Sequence, residues 1–404
     1  MTGWPPWRYA QPKQLVRYVH RGVLARVLPP QIGLPGRSQA PAQVRVRQLF
    51  EAFAAAGVRY ADEEPSATRE QDIRTPDQVF LRPGQGNCLD LAVAFAGGCL
   101  DAGLHPMIVT LSPAGSGAAG HAIVVVWLRG DLSGGAPYPL RQVVHATPPQ
   151  WPGTGLRQAW DVPGEFVPID VARAAEGWPP DGFDLTFADA VAAAARMLTG
   201  AAWSWNRGVD VGLAHDPATA YPVPGWPEVE PLERPYHEAG RELGPLESVR
   251  ARNRIVPFEP RGQLLDDLRQ WCLAPDSEHG RPRLRLMVLH GVGGSGKTRL
   301  AAELATRLAE QRWYTGFLRK ALTRPAAPTD DVSWLAGVVG PVLLVVDYVE
   351  AADRVALAEA LKILATRRGR TVVLLTARFP GDWRTSLDKE LGERGVAPEV
   401  RPDT

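Results

Sequence analysis

The chain has 404 residues, enough for two or three domains at roughly 100–200 residues each. Hydrophobic residues make up 45% of it, which excludes wholesale disorder. Its 45 basic and 44 acidic side chains leave a net charge of +1, so the balance gives no electrostatic footprint for nucleic acid.

Three cysteines, Cys88, Cys99 and Cys272, cannot build a disulfide framework, and a reducing compartment fits them best. The opening Met1-Thr-Gly-Trp-Pro-Pro-Trp-Arg has no basic stretch followed by an apolar one, so no secretory signal is expected. The longest apolar run, 335–346, is interrupted by Pro341 and falls short of the ~18–20 residues of a membrane span. A cytoplasmic protein without a membrane partner is expected.

Residues 1–42 are rich in Pro, Gly and Arg and read as an irregular lead-in. Apolar residues then recur at helical spacing over 44–56, and a second helix fits 88–102 with Gly103 as its stop. Two short β-branched runs, 107–111 and 122–128, predict strands, and 166–171 is a third candidate. Gly and Pro scattered over 130–164 mark loops, and 187–198 is an Ala-rich helix. The segment 213–250 carries Pro217, Pro222, Pro224, Pro227, Pro231 and Pro235 and reads as a semi-rigid linker. Beyond it the pattern alternates: strand 284–290, helix 297–311, strands 314–318 and 342–347, helix 354–366, strand 371–376. Such alternation predicts a parallel sheet with crossover helices. Four segments result: 1–42, an α+β domain at 43–212, the linker at 213–250, and an α/β domain at 251–404.

The strongest motif is Gly291-Val-Gly293-Gly294-Ser295-Gly296-Lys297-Thr298, a full GxxxxGK[ST] between a β run and an amphipathic helix. The glycines let the backbone close around phosphates, and the helix N-terminus adds its positive dipole end. Lys297 then reaches the β- and γ-phosphates and the Thr298 hydroxyl ligates Mg²⁺. The apolar run 342–346 ends in Asp347, an acid placed to hold the same Mg²⁺. Glu350 either polarises the attacking water or is a solvated residue at a strand end. Arg378 either senses the γ-phosphate or caps its strand.

The order of these elements resembles the STAND class of signalling P-loop NTPases, which includes NB-ARC and NACHT relatives, over about residues 250–385. The resemblance implies ATP or ADP as the nucleotide, slow turnover, and self-assembly on nucleotide switching. It also implies adenine contacts from Val256, Pro257 and Phe258. The chain departs from the family's usual Gly-Arg-Glu at Pro260-Arg261-Gly262.

In the N-terminal half, Gly84-Gln85-Gly86-Asn87-Cys88 precedes an apolar helix, Gly120-His121 opens a strand, and Asp170 follows the next strand candidate. A helix N-terminus favours thiolate, a neighbouring imidazole can carry the proton, and an acid can orient that imidazole. Cys, His and Asp in that order resemble the transglutaminase-like, papain-related superfamily over about residues 40–212. The resemblance implies Cys88 as nucleophile, His121 as general base, Asp170 (or Asp161) as orienting acid and Gln85 as oxyanion donor. A protein or peptide is the implied substrate, in a groove beside Cys88 lined by Trp or Tyr. Cys99 and Cys272 read as core. His105, His145 and His215 read as plain polar or core residues, and no Cys/His set has zinc-ligand spacing. The 13 tryptophans, Trp178 among them, mostly sit beside Pro or Gly and read as packing under loops.

Together the motifs predict a nucleotide-switched NTPase controlling a fused cysteine hydrolase in signalling or defence. A non-catalytic partner-binding module on the same scaffold, or a nucleotide-dependent transcriptional regulator, is the alternative.

Overall fold

A computed structural model describes residues 4–36, 40–61, 70–115, 120–129, 138–151, 155–178, 186–223, 230–237, 251–254, 257–258, 262–274, 284–319, 329–379 and 381–401. They fall into two compact units, 4–223 and 224–404.

The first unit is built on an antiparallel sheet of five strands. Their order is Val144–His145, Trp203–Asp210, His105–Pro113, His121–Trp127, Phe166–Ile169. Strand His121–Trp127 shows why it forms. Ala122, Val124 and Val126 face one core, and Ile123, Val125 and Trp127 face the other, so both faces of the pleat are buried. The helices Ala42–Ala55 and Cys88–Asp101 cover the first of these faces. The second helix is apolar nearly all round, as a helix sunk in a core must be. Strand Trp203–Asp210 was not expected from the sequence; its apolar–polar alternation breaks at Arg207 and Gly208, and its pairing to His105–Pro113 carries a register shift at Thr110/Leu111.

Two boundaries read from composition need correction. Residues 1–42 are not an irregular lead-in: Trp7, Leu15, Tyr18, Val19, Leu24 and Val27 are all buried in the core of the first unit. These anchors lack helical or strand periodicity and are held by tertiary contacts, such as the Tyr18 hydroxyl donating to the Pro5 carbonyl at 2.7 Å. Residues 213–250 are not one linker either. Tyr221 packs on Tyr18 and under Arg17, with its ring centroid 5.0 Å from that of Tyr18, so the segment up to 223 belongs to the first unit. Further on, Leu232–Glu233 pairs antiparallel with Tyr314–Leu318 at the edge of the second sheet, with Leu232 fully buried. Proline clusters mark irregular backbone, and irregular backbone can still be packed.

The second unit is a six-stranded sheet in the order Leu232–Glu233, Tyr314–Leu318, Val342–Val346, Thr371–Ala377, Leu284–His290, Glu399–Val400. All pairs but the first are parallel. Both faces are again apolar: Leu343 and Val345 face one core, Val342, Leu344 and Val346 the other. The helices Gly262–Leu273, Lys297–Glu310, Arg354–Ala365 and Asp382–Glu393 belong to this unit. No helix among the described residues is long and apolar enough to cross a membrane.

Candidate functional site

In the second unit, strand Leu284–His290 runs into the glycine loop and then into helix Lys297–Glu310. Gly294 and Gly296 have φ of 77° and 85°, a region that a side chain disfavours, so these two glycines fit the loop by backbone geometry. The Lys297 ammonium folds back over the loop, donating to the carbonyls of Gly291 at 2.6 Å and Val292 at 3.0 Å, with Ser295 Oγ at 3.4 Å.

Strand Thr371–Ala377 lies between the loop's strand and the Asp347 strand, so the carboxyl ends of all three converge. Thr298 Oγ1 donates to the Asp347 carboxylate at 3.0 and 3.2 Å, although 49 residues separate them. Thr376 Oγ1 donates to Asp347 Oδ1 at 2.5 Å and accepts from the Tyr348 backbone N–H at 3.2 Å. Thr376 was not singled out in the sequence; its only signal is a hydroxyl ending an apolar strand. Glu350 follows a turn through Tyr348, and its Oε1 accepts from the Arg378 N–H at 3.2 Å. Its Oε2 is buried without a hydrogen-bond partner. The Arg378 guanidinium lies over the Tyr348 ring, 5.4 Å from its centroid.

The group implied here is a magnesium nucleotide, and the residues fit it. A hydroxyl and a carboxylate meet, an ammonium sits within a ring of main-chain groups, and a buried carboxylate oxygen faces no protein donor. Of the three residues expected against adenine, Val256 lies outside the described residues. Pro257 is exposed, and Phe258 packs on the core that contains Leu300 and Leu304.

The first unit assembles a different chemistry. Asn87 caps helix Cys88–Asp101, its Oδ1 accepting from the N–H groups of Leu89 and Asp90, each at 3.0 Å. Asp90 Oδ2 returns the bond to the Asn87 N–H at 2.9 Å, a reciprocal cap that fixes the elbow carrying Cys88. Beneath it, Arg74 Nη1 donates to Asp90 Oδ2 at 2.7 Å, and both side chains are almost wholly buried. Cys88 is half-buried at the first helical turn, whereas Cys99 and Cys272 are buried. Gln85, in the two-residue strand just before the elbow, is buried as well.

His121 opens its strand beside that helix, and its Nε2 is 2.8 Å from Asp170 Oδ1. Arg173 Nε holds the other oxygen of Asp170 at 3.1 Å. Asp161 is exposed, so the structure selects Asp170 between the two acids. Burial pulls the His121 imidazole toward neutrality, but the Asp170 charge, the Cys88 charge and hydrogen bonds to both outweigh it, pushing its pKa up to about 10. The imidazole thus has both Asp170 and Cys88 as hydrogen-bond partners.

Trp178 lies nearly parallel to His121, with centroids 5.6 Å apart, and is itself stacked on Tyr60 at 4.3 Å. The main chain explains its placement: Glu176, two residues earlier, exchanges hydrogen bonds with Val58 and Tyr60, each 2.8 Å long. Trp178 therefore covers the general-base candidate rather than padding a loop. Trp203 is tilted against the same ring at 5.9 Å. Tyr9, from the segment that composition had marked as irregular, is near enough for the Cys88 charge to act on it; burial first, then that charge, raises its pKa to about 12. Its hydroxyl donates to Gln71 Oε1 at 2.9 Å. No sequence signal pointed to Tyr9, because only the pairing of Trp7–Arg8 with Glu70–Gln71 brings it there.

No family model and no curated protein matches the chain. Fifteen chains of solved structures match, among them C. elegans PCH-2, with a TM-score of 0.25 and 20% identity. That match covers 35% of this chain and 41% of the other, so the chain spans less than half of that neighbour, and the likeness is too slight to assign fold or function.

Proposed function

We propose that residues 224–404 bind and slowly hydrolyse a magnesium nucleotide, ATP or ADP being the bound states, and that this switch controls a cysteine hydrolase of the transglutaminase-like kind in residues 4–223. The observation that carries the first half is the meeting of Thr298 and Asp347 beside a complete glycine loop. Lys297 and the loop N–H groups bind phosphate, while Thr298 and Asp347 hold the metal, with Thr376 fixing the Asp347 carboxylate. Mg²⁺, when bound, neutralises charge on the phosphate oxygens. Glu350 orients water with its free oxygen, and Arg378 contacts the terminal phosphate. A STAND-type switch keeps its nucleotide, so turnover stays below ~1 s⁻¹ without a partner. Signalling or defence, with self-assembly driven by the nucleotide, is the setting this mechanism suits.

The second half rests on the Cys88–His121–Asp170 constellation. The Cys88 thiolate attacks a peptide or amide carbonyl carbon, and Gln85 donates to the oxyanion. As the C–N bond breaks, His121 gives its proton to the leaving amine and a thioester remains. Water, or an acceptor amine, attacks the thioester and returns a proton to His121, and Cys88 leaves as thiolate. Asp170 keeps the imidazole oriented, and Trp178 shields that pair from water.

Titration calorimetry with Mg·ATP tests the nucleotide half. Lys297→Ala removes a charge-assisted phosphate contact and is expected to cost about 1.5–3 kcal/mol of affinity. Equal affinity of the variant and the wild type contradicts it.

A further inference from the structure

Tyr348 is the residue at the nucleotide-site candidate that nothing above uses. It follows Asp347 directly, where a turn of backbone leads to Glu350. Its φ of 56° and ψ of 54° lie in the left-handed region, which a residue with a large side chain enters only when its surroundings hold it there. Two contacts do so. The Tyr348 N–H donates to Thr376 Oγ1 at 3.2 Å, the same oxygen whose proton goes to Asp347. The Tyr348 ring, although 41% exposed, lies under the Arg378 guanidinium at 5.4 Å. The Arg378 N–H in turn donates to Glu350 Oε1. Asp347, Thr376, Tyr348, Arg378 and Glu350 thus form a continuous chain of contacts, with Tyr348 at its centre.

We propose that Tyr348 is a positioning residue: its ring holds the Arg378 guanidinium at the mouth of the site, and its constrained backbone aims Glu350. This rests on the nucleotide-hydrolase reading, although the contact itself is testable without nucleotide. Guanidinium stacks on an aromatic face by charge–quadrupole attraction, which any aromatic ring supplies and an aliphatic side chain does not. Tyr348→Phe therefore keeps the device, whereas Tyr348→Leu and Tyr348→Gly lose it. Tyr348→Gly also relieves the backbone, so the glycine variant remains folded even if the leucine variant does not.

The first readout needs no nucleotide. Arg378 modification by phenylglyoxal, followed by peptide mass spectrometry, is expected to speed up about threefold or more in the leucine and glycine variants and to stay at the wild-type rate in the phenylalanine variant, since the exposed guanidinium then loses the ring that covers one of its faces. The second is single-turnover ATP hydrolysis beside calorimetry. Turnover is expected to fall about tenfold in the leucine and glycine variants while affinity changes less than about threefold, and Phe restores both. Thermal melting of the glycine variant at or above wild type, with turnover still reduced, separates positioning from mere stability. Unchanged Arg378 modification in both the leucine and glycine variants overturns the stacking role, and wild-type turnover in the glycine variant overturns the catalytic consequence. A wild type that binds no magnesium nucleotide, yet still shows the modification pattern, overturns the nucleotide reading and leaves only the Arg378 contact.

Discussion

The two candidate sites are assembled in opposite ways. The glycine-loop site is mostly local: Gly291 to Thr298 is one run of eight residues, joined among the described residues by Asp347, Tyr348, Glu350, Thr376 and Arg378. It is also open, with Val292 at the loop tip 76% exposed. The thiol site is dispersed, with its base and acid buried and its thiol half-buried. Its nucleophile, base and acid lie on a helix, a strand and the end of another strand, and Trp178, Trp203 and Tyr9 surround them. Backbone groups do most of the binding work at a phosphate loop, so short-range sequence can encode it. A proton-transfer pair needs side chains aligned within hydrogen-bond distance, and only tertiary packing delivers that.

The contrast sets the scale of what mutations do. The largest effect is expected at the thiol itself. Cys88→Ser is expected to remove acyl-transfer activity by a factor on the order of 10⁴ or more, since a serine hydroxyl does not ionise beside an imidazole built for a thiol. Labelling with an electrophilic peptide probe checks this, and residual labelling of the variant at a comparable rate would place the reactive thiol elsewhere.

Next comes the support beneath it. Asp90→Asn weakens the charge-assisted hydrogen bond from Arg74, between side chains exposed by 2% and 0%, and is expected to cost about 1.5–3 kcal/mol. Urea unfolding of the first unit measures it. A loss under about 1 kcal/mol would mean that the elbow is held by the Asn87 cap alone.

Last is a pH dependence. Folding raises the His121 pKa from 6.5 to about 10, so its contribution to stability is complete below pH 6.5 and is lost as pH rises through about 10. The melting temperature of the wild type should decline more steeply over that window than that of His121→Gln. Parallel curves for the two proteins would show that His121 is neutral in the native state and that no thiolate–imidazolium pair exists.

The same contrast explains what the sequence disclosed. Strands 284–290 and 314–318 were readable to the residue: the first is an apolar run broken only by Arg285 before the glycine loop, and the second is a short buried run between a helix end and a loop. The expected helix 88–102 and strand 122–128 came within one residue of the observed Cys88–Asp101 and His121–Trp127. Strand Trp203–Asp210 was hidden because the alternation of Trp203, Ser204, Trp205 and Asn206 breaks off at Arg207 and Gly208. Residues 4–36 were misjudged because their buried aromatics are anchored one by one, without a period. At the sites, Lys297, Thr298, Asp347, Cys88, His121 and Asp170 announced themselves by residue type and context. Trp178, Tyr9, Thr376 and Tyr348 did not, because each acts through a contact made across tens of residues of sequence.

The proposal that nucleotide controls the thiol joins the two sites, and one measurement addresses it. The rate of Cys88 alkylation by iodoacetamide, resolved by peptide mass spectrometry, is to be compared without nucleotide, with Mg·ADP and with Mg·ATP, in wild type and in Lys297→Ala. Cys88 is expected to react faster than Cys99 or Cys272 throughout. Its rate is expected to differ at least threefold between the ADP and ATP states in wild type, and Lys297→Ala to erase the difference. A Cys88 rate that is the same in all three states of the wild type, while calorimetry shows nucleotide bound, would contradict it.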